Sequence, residues 1–305
     1  MARYAFLRGE FVPMEQAKIG ISTHAFLYGT ACFEGIRGYW SAKEEELFVF
    51  RLREHYQRLL DSCKIMRITP KYSLDELCDI TIQVLAKCGD RTDVYIRPVY
   101  YKSSETIGVK LTGLEDDFLV FAVPFGEYLD ISKGLRCRVS SWLHSEDNAI
   151  PTRAKINGVY INPALAKTEA LDDGYDEAIF LSKSGHVAEG SAENFFMVRQ
   201  GRLITPPVTT GLLEGITRNT VMELAEDLGI PVVERLIDRS ELYLCDEAFL
   251  TGTGAQISPI VEVDHRPVGD GKIGPISAKL QQLYFQVVKG EVPRYRHWCT
   301  PVYKK

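Results

Sequence analysis

One lysine, Lys155, lies where a lysine side chain could do chemistry. It stands in the segment PTRAKINGVY (151–160), between a strand-like and a helix-like run, and its neighbours are small or apolar. A lysine in weakly polar surroundings can lose its proton and act as an amine nucleophile that forms a Schiff base with an aldehyde. A lysine beside a proline-containing turn is more often a solvated surface residue. This segment alone therefore leaves both interpretations open.

Two acidic residues, Glu189 and Glu193, stand among glycine, alanine and serine in GHVAEGSAEN (185–194). Carboxylates in such small-residue turns often accept backbone N–H groups and do nothing further. The functional alternative is that Glu189 faces a buried cation.

Two further stretches offer backbone N–H groups to an anion. LEGITRNT (213–220) places a glycine before a predicted helix, where free N–H groups and the helix dipole favour negative charge. TGTGAQISP (251–259) is a small-residue loop after a predicted strand, suited to a phosphate or a carboxylate. It lacks the dinucleotide-binding fingerprint, because no glycine or alanine stands three positions after Gly254 and no βαβ unit follows.

Together these features fit one cofactor. Pyridoxal 5′-phosphate presents an aldehyde to a lysine, a ring nitrogen to a carboxylate, and a phosphate to N–H groups. We expect no metal site, because the seven cysteines are scattered and never form a C-x-x-C pair.

The elements that must position these residues fall into two groups along the chain. In the first group, apolar residues at helical spacing predict a helix over 52–66. A second helix opens at Ser73, with Glu76 completing a capping box. The apolar runs at 93–101 and 117–124 predict strands.

In the second group, helices are predicted at about 158–171, 217–229 and 275–290, with strands between them. Together the two groups predict an α/β (α+β) protein of two domains.

The predicted domain division follows composition. A proline, a glycine and then polar residues over about 123–133 indicate a connector, and we take 125–133 as the linker between domains. We therefore predict a small N-terminal α/β domain over 1–124 and a larger C-terminal, cofactor-binding domain over 134–305.

Composition excludes several classes of partner. The 305 residues carry a net charge of −5 with no basic tract, which argues against nucleic acid or an anionic membrane surface. The longest apolar run, at 118–125, is too short to cross a bilayer, and the first residues do not resemble a signal peptide. Unpaired cysteines are typical of the cytoplasm, where we expect the protein to be found.

The motifs, in their order, resemble those of a known family. AKINGVYINPALAKTEALDDGYDEAIFL, VAEGSAENFF, LEGITR and DEAFLTGTGAQISP are similar to the class IV (fold type IV) aminotransferases, in particular the branched-chain amino acid aminotransferases. In the N-terminal half the likeness extends to HAFLYGTACFEGIRGY, FRLREHYQRLLDSCKI and VYIRP. It implies a small α/β domain, a larger pseudo-barrel domain, and ping-pong transfer of an amino group from leucine, isoleucine or valine to 2-oxoglutarate.

The resemblance also implies how the cofactor is held. Lys155 would form the Schiff base and later move a proton between the substrate Cα and the cofactor. Glu189 would bond the pyridine nitrogen, since a carboxylate there favours the protonated ring. Tyr160 would bond the phenolic oxygen. The groups that would bind the phosphate are Arg58, the N–H groups of Ile216 and Thr217, and the side chain of Thr253.

For the substrate, the resemblance gives the α-carboxylate to the Tyr95 hydroxyl and the loop N–H groups of Thr253 and Gly254. Arg97 would meet the distal carboxylate of glutamate. The residues that would line the side-chain pocket are Tyr28, Phe33, Gly35, Val109 and Tyr160. In the family, the residues corresponding to Tyr28 and Val109 come from the neighbouring subunit, which implies at least a homodimer.

Three positions depart from the family pattern. Gly254 stands where alanine is frequent, and Ala192 makes SAEN of the commoner SGEN. Both contribute backbone groups or space, so function should survive. Asn157 replaces a usual glycine close to Lys155, and the sequence gives no reason for it.

Other functions compete with this interpretation. D-amino acid aminotransferases, (R)-amine transaminases and aminodeoxychorismate lyases share the lysine–glutamate pair. Tyr95, Arg97 and the apolar Val109 favour the L-branched-chain type. A non-catalytic protein that binds pyridoxal phosphate, or a scaffold protein, is a different class. The intact set of cofactor-binding positions argues against it.

Overall fold

A computed structural model of the chain describes residues 3–126 and 133–304. The strands are β1 (Tyr4–Leu7), β2 (Glu10–Pro13), β3 (Ala31–Phe33), β4 (Ile36–Ser41), β5 (Glu46–Phe50), β6 (Val94–Lys102), β7 (Asp116–Pro124), β8 (Leu135–Leu143), β9 (Glu177–Leu181), β10 (Val187–Gly190), β11 (Asn194–Arg199), β12 (Arg202–Thr205), β13 (Val232–Glu234), β14 (Glu247–Gly252), β15 (Gln256–Val263), β16 (Arg266–Pro267) and β17 (Cys299–Pro301). The α-helices are α1 (His24–Tyr28), α2 (Leu52–Ile65), α3 (Leu74–Cys88), α4 (Ile161–Asp172), α5 (Ile216–Asp227) and α6 (Pro275–Val288).

The chain forms two compact units. The first comprises 1–126, 154–159 and 286–305, and the second comprises 127–153 and 160–285. The mixture of helices and sheets confirms the predicted α+β class. Most of the predicted linker lies outside the described residues, which exclude 127–132, so the boundary at 125–133 stays a prediction.

The first unit is built on an antiparallel sheet. Its strands run in the order β17-β5-β4-β6-β7-β1-β2, and β3 pairs with β6. The last strand enters this sheet by pairing Cys299 with Phe50, which is why the C-terminal segment belongs to this unit although its sequence position placed it with the second domain. The segment 154–159 joins the unit in the same way, because Ile156 bridges to Cys32 on β3.

Two helices of the first unit follow the sequence signals closely. α2 occupies nearly the whole span predicted from apolar spacing and buries Tyr56, Leu59 and Cys63. α3 begins at the predicted capping box, in which Ser73 Oγ accepts from the Glu76 N–H and the Glu76 carboxylate accepts from the Ser73 N–H.

The second unit is built on a sheet that closes on itself. Six strands follow one another in the order β10-β9-β8-β15-β14-β11, and β10 also pairs with β11 through Glu189 and Asn194. This pairing closes the ring and confirms the expected barrel-like domain. The inner face is filled with apolar side chains, which include Val139, Ile179 and Phe195.

Two general features of the structure bear on the earlier expectations. All seven cysteines are free and buried. Within 3–126 and 133–304, no helix combines the length and apolar character that crossing a membrane requires.

Candidate active site

Lys155 is held by β3 and α2 within the first unit. Its backbone N–H donates to Ser62 Oγ at 3.1 Å, and its carbonyl accepts the Phe33 N–H at 3.0 Å. The side chain is half-buried, and its Nζ lies 5.1 Å from the centre of the Phe33 ring. Backbone bonds therefore fix the base of a lysine whose amine lies against an aromatic face.

The chain after Lys155 approaches a glycine very closely. The Gly158 N–H donates to the Gly29 carbonyl, and a Cβ added at Gly29 would lie 2.8 Å from the Gly158 Cα. Gly29 also adopts a φ of +67°, which suits glycine. The side chain of Asn157 is exposed, which explains how an asparagine is accommodated next to this tight contact.

Arg58, the predicted phosphate ligand, is anchored by a buried carboxylate. Its Nε and Nη2 donate to the two oxygens of Glu34 at 2.7 and 2.8 Å. His55 lies one turn earlier on α2, and its Nδ1 lies 2.7 Å from Glu34 Oε2. Sequence reasoning missed Glu34 and His55. The spacing of His55 and Arg58 was the available signal, since residues three apart share one helix face.

The charge states of Glu34, Arg58 and His55 follow from their burial and from their contacts with one another. Burial alone would raise the pKa of Glu34, but Arg58 and His55 more than offset it and hold the pKa well below its usual range. Burial lowers the pKa of His55, and its bond to Glu34 offsets this only in part. The group is thus a carboxylate, a guanidinium and a neutral imidazole at pH 7.

Four of the predicted substrate residues form one cluster in the first unit. Arg97 Nη2 donates to the Tyr95 hydroxyl at 2.8 Å, and its guanidinium lies 4.3 Å from the centre of the Phe33 ring. A Cβ added at Gly35 would collide with the Tyr95 hydroxyl, so glycine makes the space for it. Arg97 Nε is buried and has no hydrogen-bond partner among the described residues. Such an atom is suited to an incoming anionic group.

Tyr28 and Val109 lie on an exposed part of the same unit. The Tyr28 hydroxyl accepts the Gly108 N–H at 3.1 Å, and His24 Nε2 donates to the Gly108 carbonyl at 2.6 Å. Helix α1 and the loop that carries Val109 are therefore tied together. Val109 is 81% exposed and Phe26 is 67% exposed, which is unusual for apolar side chains in a folded protein.

In the second unit, Glu189 is bound on both of its oxygens. Oε1 lies 2.8 Å from His144 Nε2, and Oε2 accepts from Asn194 Nδ2 at 3.0 Å and from the Leu213 N–H at 3.3 Å. Asn194 also donates to the Leu213 carbonyl, and a Cβ at Gly215 would collide with its Oδ1. These contacts hold the Glu189 carboxylate in one orientation. Sequence reasoning missed His144 and Asn194, although Asn194 stands within the quoted EGSAEN motif.

The other acid of the motif, Glu193, behaves differently. Burial and the neighbouring Glu177 carboxylate raise the pKa of Glu193 to about 8. Glu177 is itself paired with Lys167 at 2.6 Å. Near pH 7 Glu193 is therefore largely neutral.

The predicted phosphate and carboxylate groups of the second unit lie at a helix start and in a loop. Ile216 and Thr217 are the first two residues of α5, where backbone N–H groups have no partner within the helix. Thr253 and Gly254 lie in the turn between β14 and β15 and are half-buried. Thr251 Oγ1, at the end of β14, is buried and has no hydrogen-bond partner among the described residues.

The structure thus distributes the predicted site residues over the two units. The first unit holds Tyr28, Phe33, Gly35, Arg58, Tyr95, Arg97, Val109 and Lys155. The second unit holds Tyr160, Glu189, Ile216, Thr217, Thr253 and Gly254. Tyr160 is half-buried and immediately precedes α4. None of the 3–126 and 133–304 residues forms a cluster of three or more metal-ligating side chains.

These groups fit pyridoxal phosphate. The donor set offers a half-buried lysine amine, a fixed carboxylate, and N–H groups at a helix start. The buried atoms Arg97 Nε and Thr251 Oγ1 are donors without a partner among the described residues.

Comparison with known proteins gives a consistent result. Residues 31–263 match the family described as amino-transferase class IV. A probable branched-chain-amino-acid aminotransferase from Aquifex aeolicus is 50% identical over 303 residues, which cover 99% of this chain and 97% of that protein. The branched-chain-amino-acid aminotransferase of Escherichia coli K12 is 42% identical over 305 residues, covering 99% and 98%.

Solved structures agree with these sequence relationships. The branched-chain aminotransferase from Thermoproteus uzoniensis with norvaline superposes with a TM-score of 0.95 at 44% identity, covering 99% of this chain and 100% of that one. The branched-chain amino acid aminotransferase from Thermobaculum terrenum, in its PLP-containing holo-form, has a TM-score of 0.95 at 39% identity, covering 99% of each chain.

Proposed function

The chain belongs to the class IV aminotransferase family, and we propose that it transfers amino groups from branched-chain L-amino acids to 2-oxoglutarate with pyridoxal 5′-phosphate as cofactor. The observation that carries this proposal is the cluster of Phe33, Tyr95 and Arg97, which combines aromatic surface with a half-buried guanidinium whose Nε is buried. Named relatives at 40–50% identity over nearly the full length support it.

When bound, pyridoxal phosphate supplies an aldehyde that accepts the amino group and a ring that draws electrons from the substrate Cα. Lys155 would hold it through Nζ and move the Cα proton. Glu189 would keep a proton on the ring nitrogen, because its carboxylate is fixed by three donors. Tyr160 would donate to the phenolic oxygen.

The resemblance assigns the phosphate to a side chain on α2 and to groups at the start of α5 and in the loop after β14. Arg58 would supply a permanent charge, which Glu34 orients. Ile216 and Thr217 would supply N–H groups at the positive end of the α5 dipole, with the Thr253 side chain beside them. Each assignment follows from the resemblance, and the chemistry of the groups supports it.

The substrate cluster suits two kinds of side chain. The ring of Phe33 offers apolar surface to a branched aliphatic chain. Arg97 offers a guanidinium to the distal carboxylate of glutamate, while the Tyr95 hydroxyl and the N–H groups of Thr253 and Gly254 would bind the α-carboxylate. Gly35 would keep the pocket wide, since it has no Cβ.

We place the protein in a homo-oligomer, at least a dimer. Tyr28 and Val109 carry this proposal, because both are exposed and are linked through Gly108. Phe26 and Ile107, which is 86% exposed, extend the same apolar surface. A second copy of the chain that covers this surface would bring Tyr28 and Val109 to the partner's pocket.

Two further expectations remain proposals. A cytoplasmic location is supported by the seven free cysteines, since oxidising compartments favour disulfides. The division into domains at 125–133 is the one that composition indicates.

A single-turnover experiment tests the proposed function. The purified protein in its pyridoxal phosphate form is mixed with L-leucine, D-alanine or (R)-1-phenylethylamine, and the loss of the cofactor's visible absorption is followed. We expect L-leucine to react fastest and 2-oxoglutarate to restore the colour. Reaction with D-alanine or the amine and none with L-leucine would assign a different transaminase, and an inert coloured protein would indicate binding without catalysis.

A further inference from the structure

The imidazole of His144 lies between two oxygen atoms that accept hydrogen bonds. Nε2 lies 2.8 Å from Glu189 Oε1, and Nδ1 lies 3.0 Å from the carbonyl oxygen of Ser145. A neutral imidazole carries a single N–H, so either tautomer would direct one nitrogen lone pair at an oxygen. Only the doubly protonated ring donates to both.

The ring is held in this position by its surroundings. The His144 N–H donates to the Leu181 carbonyl on β9 at 2.9 Å, and Phe180 meets the ring edge-on with 5.5 Å between centres. A Cβ added at Gly211 would lie 3.3 Å from the Ser145 carbonyl oxygen and 3.7 Å from His144 Nδ1. The side chain is 10% exposed. These contacts leave the imidazole little freedom to leave either oxygen.

The charges that face the ring come from two elements. Glu189 faces it from β10 and Glu146 from its own loop, whereas β9 and the segment before α5 present Phe180 and Gly211, which carry no charge. Burial alone would lower the pKa of His144, but the bond to Glu189, the carbonyl and the nearby Glu146 outweigh it and raise the pKa. The electrostatics agree with the geometry.

We propose that His144 is a positioning residue that, as a cation, fixes Glu189 Oε1 and keeps this carboxylate in its anionic, accepting form. Asn194 and the Leu213 N–H fix the other oxygen. What Glu189 faces, the pyridine nitrogen, rests on the proposed function. The His144–Glu189 pair itself does not.

This arrangement makes the charge and orientation of Glu189 depend on the protonation of His144. While His144 is protonated, Glu189 carries its charge and favours a proton on the ring nitrogen. When His144 loses its proton, the imidazole must give up one of its two bonds, and Glu189 loses either its orientation or its cationic neighbour. Activity should therefore fall at alkaline pH as His144 deprotonates.

The first test is a titration that needs no turnover. The histidine resonances of the full-length protein are followed by NMR against pH, and the His144 signal is assigned from its absence in His144→Gln. We expect a pKa above the ordinary histidine value, and we expect this pKa to fall in Glu189→Gln. His186 is the internal control, because it pairs instead with an exposed Asp238 at 3.5 Å. An unshifted His144, or one indifferent to Glu189→Gln, would overturn the proposal.

The second test is the pH profile of kcat and KM with L-leucine. His144→Gln should lower kcat roughly tenfold with little change in KM, as loss of a group that orients a catalytic ligand does. His144→Arg keeps a permanent charge and should move the alkaline fall in kcat to higher pH. His186→Gln should match the wild type.

The outcomes separate the two proposals. An unchanged alkaline limb in His144→Arg, with the variant folded by circular dichroism, would contradict the role of His144. A wild-type protein that titrates as expected but does not turn over L-leucine would refute the proposed function and leave the histidine–glutamate pair established.

Discussion

Two glutamates, the buried Glu34 of the first unit and the half-buried Glu189 of the second, are both paired with a histidine and yet differ in their charged neighbours. Glu34 accepts from His55 and from two nitrogens of Arg58. Glu189 accepts from His144 and from neutral amide donors. In the first group the guanidinium supplies the positive charge and the histidine stays neutral. In the second group the histidine itself is the cation that bonds to the carboxylate.

The two carboxylates should therefore respond differently to pH. An arginine keeps its proton at every working pH, so the charge balance at Glu34 is permanent. A histidine loses its proton within the working range, so the balance at Glu189 can change. The first arrangement suits a group that anchors a phosphate ligand. The second suits a group that must hold a proton on a ring nitrogen.

The strongest loss of stability should come from breaking the ion pair between Glu34 and Arg58. Glu34→Gln leaves Arg58 without its carboxylate in a buried place, and we expect the free energy of unfolding to fall by about 3 kcal/mol. The affinity for pyridoxal phosphate should fall as well, because Arg58 is no longer oriented. Urea denaturation and cofactor titration measure both.

A matched control for this variant lies on α2. Glu54 pairs with Arg51 at 3.5 Å and is 43% exposed, so Glu54→Gln should cost less than about 1 kcal/mol. Equal losses in the two variants would show that the buried network has no special role.

The next effect should come from Glu189→Gln. The amide keeps the shape but not the charge, so cofactor binding should survive while kcat falls on the order of a hundredfold. The loss falls on the transition state, because the proton on the ring nitrogen matters most there. Steady-state kinetics with L-leucine, alongside a cofactor binding titration, checks this. A variant with normal kcat would remove Glu189 from the mechanism.

A weaker effect is the contribution of His144 to the pH dependence of the free energy of unfolding. A histidine with a raised pKa stabilises the fold fully below its unfolded pKa of about 6.5, and the stabilisation is lost as pH rises through the folded pKa. The wild type should therefore exceed His144→Gln by on the order of 1 kcal/mol at pH 6, and the gap should shrink towards pH 9. Glu34 does not make the free energy of unfolding depend on pH in this range. Its pKa is lowered, so the stabilisation that it provides is lost only in strong acid.

Urea denaturation at several pH values measures this gap. A difference that stays constant from pH 6 to pH 9 would show that His144 stabilises by packing alone.

Much of the fold could be predicted from local signals. The capping box of Ser73 and Glu76 marks the start of α3, and Pro275 marks the start of α6. The two segments that joined the first unit could not be placed this way. Strand β17 and the Ile156 bridge depend on pairing with residues far away in sequence, and local pattern carries no register.

The site residues differ in the same way: local motifs mark some of them, and only the fold identifies the others. Lys155 and Glu189 could be proposed because motifs mark them, and their assigned roles stay predictions. Glu34, His55 and His144 were missed because each acts through a partner that only the fold brings near. His144 and Glu189 are 45 residues apart in sequence and meet only once β9 pairs with both β8 and β10. Side chains that act by positioning other side chains are not identified by a local sequence motif.

Attachment of pyridoxal phosphate to Lys155, on which the proposed amino transfer depends, can be measured directly. The purified protein is reduced with borohydride, digested, and analysed by mass spectrometry. We predict that the peptide containing Lys155 carries one phosphopyridoxyl group and that prior treatment with L-leucine removes the label. A label on another lysine, or no label on a protein that turns over L-leucine, would show that the proposed role of Lys155 is wrong.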